Sequence, residues 1–120
     1  MKNIIKSISI ITLLLVGTSA MAQEKKQKKI QTAEFEVSGL CNMCKKRIEE
    51  AALIKGVRLA EWDKFNQEIK VIYSTKQTDL EKIKMSISAV GYDTDSVKGD
   101  DEAYAKLPEC CKYRGELEVH

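Results

Sequence analysis

The apolar pattern along the chain predicts an α+β fold, in which two helices pack on one face of an antiparallel sheet. Some stretches alternate apolar and polar residues, as half-buried strands do, and others repeat apolar residues every three or four positions, as amphipathic helices do. Between about residues 32 and 98 these patterns follow the order β-α-β-β-α-β. This order predicts a ferredoxin-like sandwich, followed by a C-terminal extension.

The first strand and the first helix are predicted on either side of a turn. In strand one, at about 33–37, Phe35 and Val37 are expected to face the core. Gly39 supplies the backbone freedom that the turn requires. Helix one is predicted over about 43–54, because its apolar residues recur on one helical face and a Lys-Gly pair follows it.

The next two strands are predicted to form a hairpin. Residues 57–63 carry apolar side chains on both parities, which a β-bulge or a two-sided strand would reconcile. Residues 68–73 alternate clearly, and a short turn at 65–67 separates the two strands. So short a connection favours an antiparallel pair.

The second helix is marked by a capping signal and an apolar stripe. Thr78 is predicted to cap the helix, with Glu81 at the third position, as in a capping box. Gly91 is expected to end the helix, and a short fourth strand to follow over about 93–98. The predicted buried stripe comprises Leu80, Ile83, Ile87 and Val90.

The first 22 residues are predicted to be a cleavable signal peptide. A positively charged start precedes an apolar core, and Ala20-Met21-Ala22 supplies an A-x-A cleavage site. The exported protein, in the periplasm or an equivalent compartment, is then expected to begin at Gln23; an uncleaved anchor is the alternative. Residues 23–31 are rich in lysine and are predicted to be a flexible basic leader.

After cleavage the chain is expected to carry no net charge. The formal charge of +2 equals that of Lys2 and Lys6, which both lie in the signal segment. A neutral domain has no general electrostatic attraction for nucleic acid or anionic lipid, so neither is an expected partner. The lysine run of the leader is interpreted as a solvated segment.

All four cysteines lie in the exported part, as the pair Cys41-x-x-Cys44 and the adjacent pair Cys110 and Cys111. Exported domains normally use cysteine for disulfides, but pairs this close along the chain close very small loops and would stabilise little. The first pair lies at a helix N-terminus, where free N–H groups and the three basic residues that follow favour the thiolate. The thiolate is both metal ligand and nucleophile, so the motif favours metal capture or thiol exchange.

The chain resembles the heavy-metal-associated domain family over about residues 32–98. The resemblance rests on the Cys-x-x-Cys between strand one and helix one, on Gly56-Val57 after helix one, and on Gly91-Tyr92-Asp93 after helix two. It implies an open-faced sandwich with two cysteines on an exposed loop. It also implies that these cysteines bind a soft cation, typically Cu(I), and transfer it to a partner by ligand exchange.

Carried residue by residue onto this chain, the resemblance makes Cys41 and Cys44 the metal ligands. Tyr92 matches an aromatic near the metal loop, or alternatively is a core residue at the end of helix two. The common family loop has a buried Met two residues before the first ligand, where this chain has Gly39. Leu40 is expected to fill the core in place of that Met, unless the loop is remodelled.

Two further features leave alternatives open. Met43 is a soft thioether that either faces solvent or shields the metal, and a role as third ligand is the less favoured option. Cys110 and Cys111 lie in the tail, residues 99–120, which also contains a predicted short helix at 101–106. These two cysteines form a disulfide, recruit metal, bridge two molecules, donate thiolates if the tail folds back over the loop, or are a buried pair with no special role. Both a monomer and a metal-bridged dimer are therefore open.

The function that these observations favour is that of an exported carrier of a soft metal. The residues around the motif include no carboxylate, and His120 is the one histidine of the chain, so the ligands that zinc usually recruits beside cysteine are missing nearby. Cu(I) is therefore favoured, followed by Hg(II) and then by Zn(II) or Cd(II). The expected partners are proteins that donate or accept metal, such as a metal-transporting ATPase or a membrane transporter.

Two other functions compete with metal transport. A thiol-disulfide oxidoreductase also uses a Cys-x-x-Cys at a helix N-terminus in an oxidising compartment. This chain lacks the Trp-Cys-Gly-Pro-Cys of thioredoxin-like proteins, its predicted strand order differs, and Pro108 is its one proline. The third function is that of an interaction module with an oxidised, inert pair. We therefore expect a protein that is not an enzyme.

Overall fold

The computed structural model of the chain describes residues 29–115. The predicted signal peptide, most of the predicted leader and His120 lie outside this range. Three strands form one antiparallel sheet in the order β1-β3-β2. Within the described residues no helix is long and apolar enough to span a bilayer. The elements are β1 (Ile30–Glu36), α1 (Asn42–Ala52), β2 (Val57–Asp63), β3 (Glu68–Ser74), α2 (Leu80–Ala89), α3 (Asp101–Ala105) and a 3-10 turn, Glu109–Cys111.

The predicted α+β sandwich is confirmed, and most boundaries agree within two residues. The sheet begins earlier than expected, because Ile30, which was assigned to the leader, pairs with Ser74 of β3. The register between β2 and β3 shifts between Val57 and Leu59, which confirms the predicted bulge. The bulge explains why apolar side chains fall on both parities of this strand.

The predicted fourth strand does not form in the described chain. Residues 93–98 contribute one isolated bridge, in which Thr94 pairs with Val37. The Thr94 hydroxyl accepts hydrogen bonds from the backbone N–H groups of Ser96, at 3.3 Å, and Val97, at 2.9 Å. A side chain that bonds to the backbone two and three residues ahead favours a turn over a strand, and here the turn prevails.

Helix α2 is capped by a different residue from the one predicted. Asp79 occupies the N-cap, and its carboxylate accepts a hydrogen bond from the Lys82 backbone N–H. The Thr78 hydroxyl is buried and has no hydrogen-bond partner among the described residues. Of the predicted stripe, Ile83 and Ile87 are fully buried and Leu80 packs against the core, whereas Val90 is exposed.

The core lies between the sheet and the two longer helices, and it extends to the end of the sandwich that carries Cys41 and Cys44. Helix α1 contributes a buried stripe of Cys44, Ile48 and Ala52. Trp62 of β2 is buried, and its indole N–H donates to the Val37 carbonyl at 2.9 Å. The core therefore fixes the relative positions of β1 and α1, the two elements on either side of the loop at residues 37–41.

Candidate metal centre

The loop cysteines are positioned by the start of helix α1. Cys41 is the N-cap residue, with extended backbone angles, and Cys44 begins the buried stripe one helical turn later. The two Sγ atoms lie 3.6 Å apart. Cys41 is 7% exposed and Cys44 fully buried, so the expectation of two cysteines on an exposed loop is wrong for this chain.

The described part of the tail, residues 99–115, covers the loop that carries Cys41 and Cys44. It leaves the sandwich through α3, buries Leu107 and continues through Pro108 into the 3-10 turn. This turn brings the Cys111 Sγ atom to 3.9 Å from the Cys41 Sγ atom. The Sγ atoms of Cys41, Cys44 and Cys111 all lie within 4.8 Å of one another, and no carboxylate or imidazole of the described chain joins them.

Cys110 points away from this cluster. Its Sγ atom lies 3.8 Å from the Met43 Sδ atom, and Met43 is 47% exposed. The Cys110 carbonyl faces inward and accepts a hydrogen bond from the Cys41 thiol at 3.4 Å. All four cysteines are free thiols. The adjacent pair is therefore divided between the core and the surface.

An aromatic stack holds the tail against the end of helix α2. The Tyr113 ring stacks on the Tyr92 ring, with centroids 5.7 Å apart. The Tyr113 hydroxyl donates to the Gly91 carbonyl at 2.6 Å and accepts from the Asp93 backbone N–H at 2.9 Å. Burial raises the pKa of Tyr113 to about 12, with the Asp93 charge acting in the same direction. Tyr113 therefore stays protonated and keeps both hydrogen bonds at neutral pH.

Arg114 adds an ionic clamp next to the stack. Its guanidinium donates to Asp93 at 2.9 Å, to Asp101 at 2.8 Å and to the Gly99 carbonyl at 2.9 Å. Burial alone would raise the pKa of Asp93, but the Gly99 N–H and Arg114 hold it below its ordinary value of 3.8. Neither Tyr113 nor Arg114 could be identified from the sequence, because a Tyr-Arg pair in a polar tail carries no local signal of what it contacts.

Tyr92 is both a core residue and a neighbour of the thiols. The side chain is fully buried, and its hydroxyl has no hydrogen-bond partner among the described residues. Burial, together with the adjacent thiols of Cys111 and Cys44, raises its pKa far above the ordinary value, so the hydroxyl remains a donor. Tyr92 is thus both a core residue at the end of α2 and an aromatic residue beside the loop cysteines, so the two interpretations hold together.

The cysteine thiols differ in their acidity. Burial alone would raise the pKa of Cys41, but backbone N–H groups of Cys44 and Met43 and the neighbouring thiols lower it to about 7. Burial raises the pKa of Cys111 strongly, and the neighbouring Cys44 adds to this rise. The structure therefore favours the thiolate first at the helix N-cap.

The basic residues after the motif were expected to favour the thiolate, but the charge of Lys45 is directed elsewhere. Its ammonium contacts the Glu49 carboxylate at 2.5 Å and the Trp62 carbonyl at 2.9 Å. Lys46 and Arg47 are exposed. Backbone N–H groups of the helix start, together with the thiols of Cys44 and Cys111, lower the pKa of Cys41.

Glycine at position 39 has a steric reason. A Cβ atom on Gly39 would lie 2.9 Å from the Trp62 ring and 3.2 Å from Ile48, so the indole occupies the space that a side chain would need. Leu40, the next residue, is buried in the core as expected.

No protein-family model and no curated protein sequence matches the chain. Among solved structures, the chain is similar to the CopZ metallochaperone, with 29% identity and a TM-score of 0.52 over 53% of this chain and 98% of that one. It is also similar to the N-terminal domain of a potential copper-translocating P-type ATPase from Bacillus subtilis in the Cu(I)-loaded state. That match has 28% identity and a TM-score of 0.52, and it covers 59% of this chain and 99% of the other.

A third solved structure shares the fold. A copper-binding domain from HMA7, a P-type ATPase, matches 53% of this chain and 89% of its own length, with 23% identity and a TM-score of 0.51. Each of these matches covers little more than half of the chain. The fold of the sandwich is common to all three structures.

Proposed function

We propose that this domain, which has the heavy-metal-associated fold, binds Cu(I) through Cys41 and Cys44 and passes the ion to a partner protein. One observation carries the proposal: two thiols lie 3.6 Å apart at the start of a helix, and within residues 29–115 no carboxylate or imidazole lies beside them. An all-sulfur site selects soft ions such as Cu(I). The likeness to CopZ and to a Cu(I)-loaded ATPase domain, at 29% and 28% identity, supports the same ion.

Ligand exchange accounts for binding and release without redox chemistry. A thiol that is still protonated releases its proton to solvent as its sulfur binds the ion. In transfer, a thiolate of the partner forms a bond to copper while one copper–sulfur bond of this chain breaks, and copper stays in the Cu(I) state. A metal-transporting ATPase or a membrane transporter is the partner that this chemistry and the solved relatives favour.

While the tail is docked, the motif is closed to a disulfide substrate as it is to a partner thiolate, so a thiol-disulfide oxidoreductase would also require the tail to be displaced. The nucleophilic cysteine of such an enzyme must reach a disulfide of its substrate, so it is at least partly exposed. Cys41 is 7% exposed and Cys44 is fully buried. Hg(II) remains the second candidate ion, since it prefers the same sulfur donors.

The proposal is tested by titrating the reduced protein with Cu(I) under anaerobic conditions, in competition with a chelator of known affinity. Native mass spectrometry of the same samples gives the number of copper ions per chain. We expect one tightly bound ion in a monomer. Failure of the protein to compete with the chelator, with its thiols shown to be reduced, would overturn the proposal.

We also propose that the protein acts outside the cytoplasm. The support is the sequence of residues 1–22 alone, with its charged start, apolar core and A-x-A site. Protein isolated from the cell envelope should therefore begin at Gln23. Recovery of a chain that begins at Met1 would contradict this assignment but would not affect the metal site.

A further inference from the structure

We propose that Cys111 is a third copper ligand, so that the tail completes a three-sulfur site within a single chain. This inference rests on the proposed function, because it assumes that Cys41 and Cys44 bind Cu(I). Cys111 lies outside the part of the chain that resembles the heavy-metal-associated domain. The structure nevertheless places its Sγ atom 3.9 Å from that of Cys41.

The three sulfurs lie close enough together for one ion to contact all of them, since every pair is within 4.8 Å. With a metal–thiolate bond of about 2.3 Å, as in zinc sites, two ligands on opposite sides of an ion place their sulfurs about 4.6 Å apart. Three ligands in a plane around the ion place them about 4.0 Å apart with the same bond length. The Cys41–Cys44 distance is 3.6 Å and the Cys41–Cys111 distance is 3.9 Å. Both distances are shorter than linear coordination requires.

The position of Cys111 is fixed by contacts that do not involve sulfur. Leu107 is buried, Tyr113 stacks on Tyr92, and Arg114 binds two carboxylates. Because these contacts already order the tail, adding the third ligand does not require ordering a mobile segment on binding. The site is thus organised in advance for an ion held by all three sulfurs.

A buried hydroxyl points to the same site. The Tyr92 hydroxyl is buried beside the thiols of Cys44 and Cys111, which are weak acceptors, and no oxygen or nitrogen of the described residues accepts from it. A buried donor with only a weak acceptor is unfavourable. A metal-bound thiolate is an anionic and stronger acceptor, so the three-sulfur complex would improve the environment of this hydroxyl.

The third ligand would also govern release. Cys44 and Cys111 are fully buried and Cys41 nearly so, which leaves the thiolate of a partner no approach to copper while the tail is docked. Transfer then requires that Cys111 dissociate, after which the partner thiolate takes its place. We expect the tail to slow the escape of copper and to make transfer depend on its displacement.

The test combines one measurement on the native protein with one pair of variants. X-ray absorption at the copper edge counts the sulfurs bound to Cu(I) in the unmodified protein, so it does not depend on how well a variant folds. The rate of Cu(I) loss to an excess of chelator is then compared between Cys111→Ser and Cys110→Ser. Cys110 is the matched control, because it is the adjacent residue but its sulfur faces Met43 at 3.8 Å.

We expect three copper–sulfur contacts in the native protein. Since loss of even an outer-shell partner typically costs 10–100-fold, Cys111→Ser should release copper about tenfold faster or more, and Cys110→Ser at the native rate. Two sulfurs in the native protein, or equal rates for both variants, would overturn the third ligand and leave the Cys41–Cys44 site standing. A native protein that binds no Cu(I) would overturn both proposals.

Discussion

The two cysteine pairs of this chain differ in what sets their positions. Cys41 and Cys44 are placed by a strand, a turn and a helix start that are contiguous with them in sequence. Cys110 and Cys111 are placed by contacts with residues that lie far away along the chain. The first pair therefore shares one environment, whereas the second is divided between surface and core. Cysteines that are adjacent in sequence therefore need not bring their sulfur atoms together, unless the local structure also holds both side chains on the same side.

The largest effect should come from the pair whose position is local. Replacing both Cys41 and Cys44 by Ser should lower Cu(I) affinity by orders of magnitude, because a hydroxyl is a poor ligand for a soft ion. Burial of Cys44 means that the variant should also lose about 1–3 kcal/mol of unfolding free energy, since a buried hydroxyl needs a partner. Chelator competition measures the first effect and urea unfolding the second. Native affinity in a folded variant would refute the role of the pair.

The division of the second pair should be visible in thiol reactivity. In the metal-free reduced protein, Cys110 should be alkylated by iodoacetamide at least about tenfold faster than Cys111, because a fully buried thiol reacts only after local opening. Peptide mass spectrometry at several reaction times separates the two sites. Equal rates would show that the tail is not docked in solution, and the contrast between the pairs would fail.

The contribution of Arg114 to the docking of the tail can be tested by removing its side chain. Arg114→Ala removes the charge-assisted hydrogen bond to the partly buried Asp93 and should lower the unfolding free energy by about 1–3 kcal/mol, whereas its bond to the exposed Asp101 contributes little. The substitution should also raise the alkylation rate of Cys111. Lys98→Ala is the control, because Lys98 is exposed and its ion pair with Asp101, at 3.6 Å, contributes little. If Lys98→Ala had the larger effect on Cys111, the clamp would be wrongly assigned.

The smallest effect is a pH dependence at the clamp. The folded pKa of Asp93 lies below its ordinary value of 3.8. The stabilisation by ionised Asp93 is therefore fully present above that value and is lost as the pH falls through the lower folded pKa. The Tyr113 ring signals in NMR should report loosening of the tail in this acidic window. Asp93→Asn should weaken this dependence and leave the part that belongs to Asp101, whose pKa the same Arg114 also lowers; an unchanged transition in that variant would show that Asp93 does not contribute.

The fold could be predicted from the sequence because its signals are local. Both longer helices and all three strands of the sheet follow from apolar periodicity, and Val57–Asp63 agrees with its predicted bounds. Two of the misassignments in this part arose from competing local signals. Asp79 and Thr78 are both good helix caps, and only the backbone geometry selects between them. Thr94 folds its segment into a turn through side-chain bonds that a strand pattern does not reveal.

The sequence by itself determined the Cys-x-x-Cys at a helix start, the apolar stripes of the sandwich and the lack of a carboxylate or histidine beside the motif in the sequence. Only the tertiary structure decided that the loop is covered, that Cys111 joins it and that Cys110 does not. The physical reason is that helix and strand periodicity act over a few residues. The tail is held by an aromatic stack and an ion pair between residues about twenty positions apart. Nothing in the local pattern of Tyr113 and Arg114 specifies the partners that they find when the chain folds.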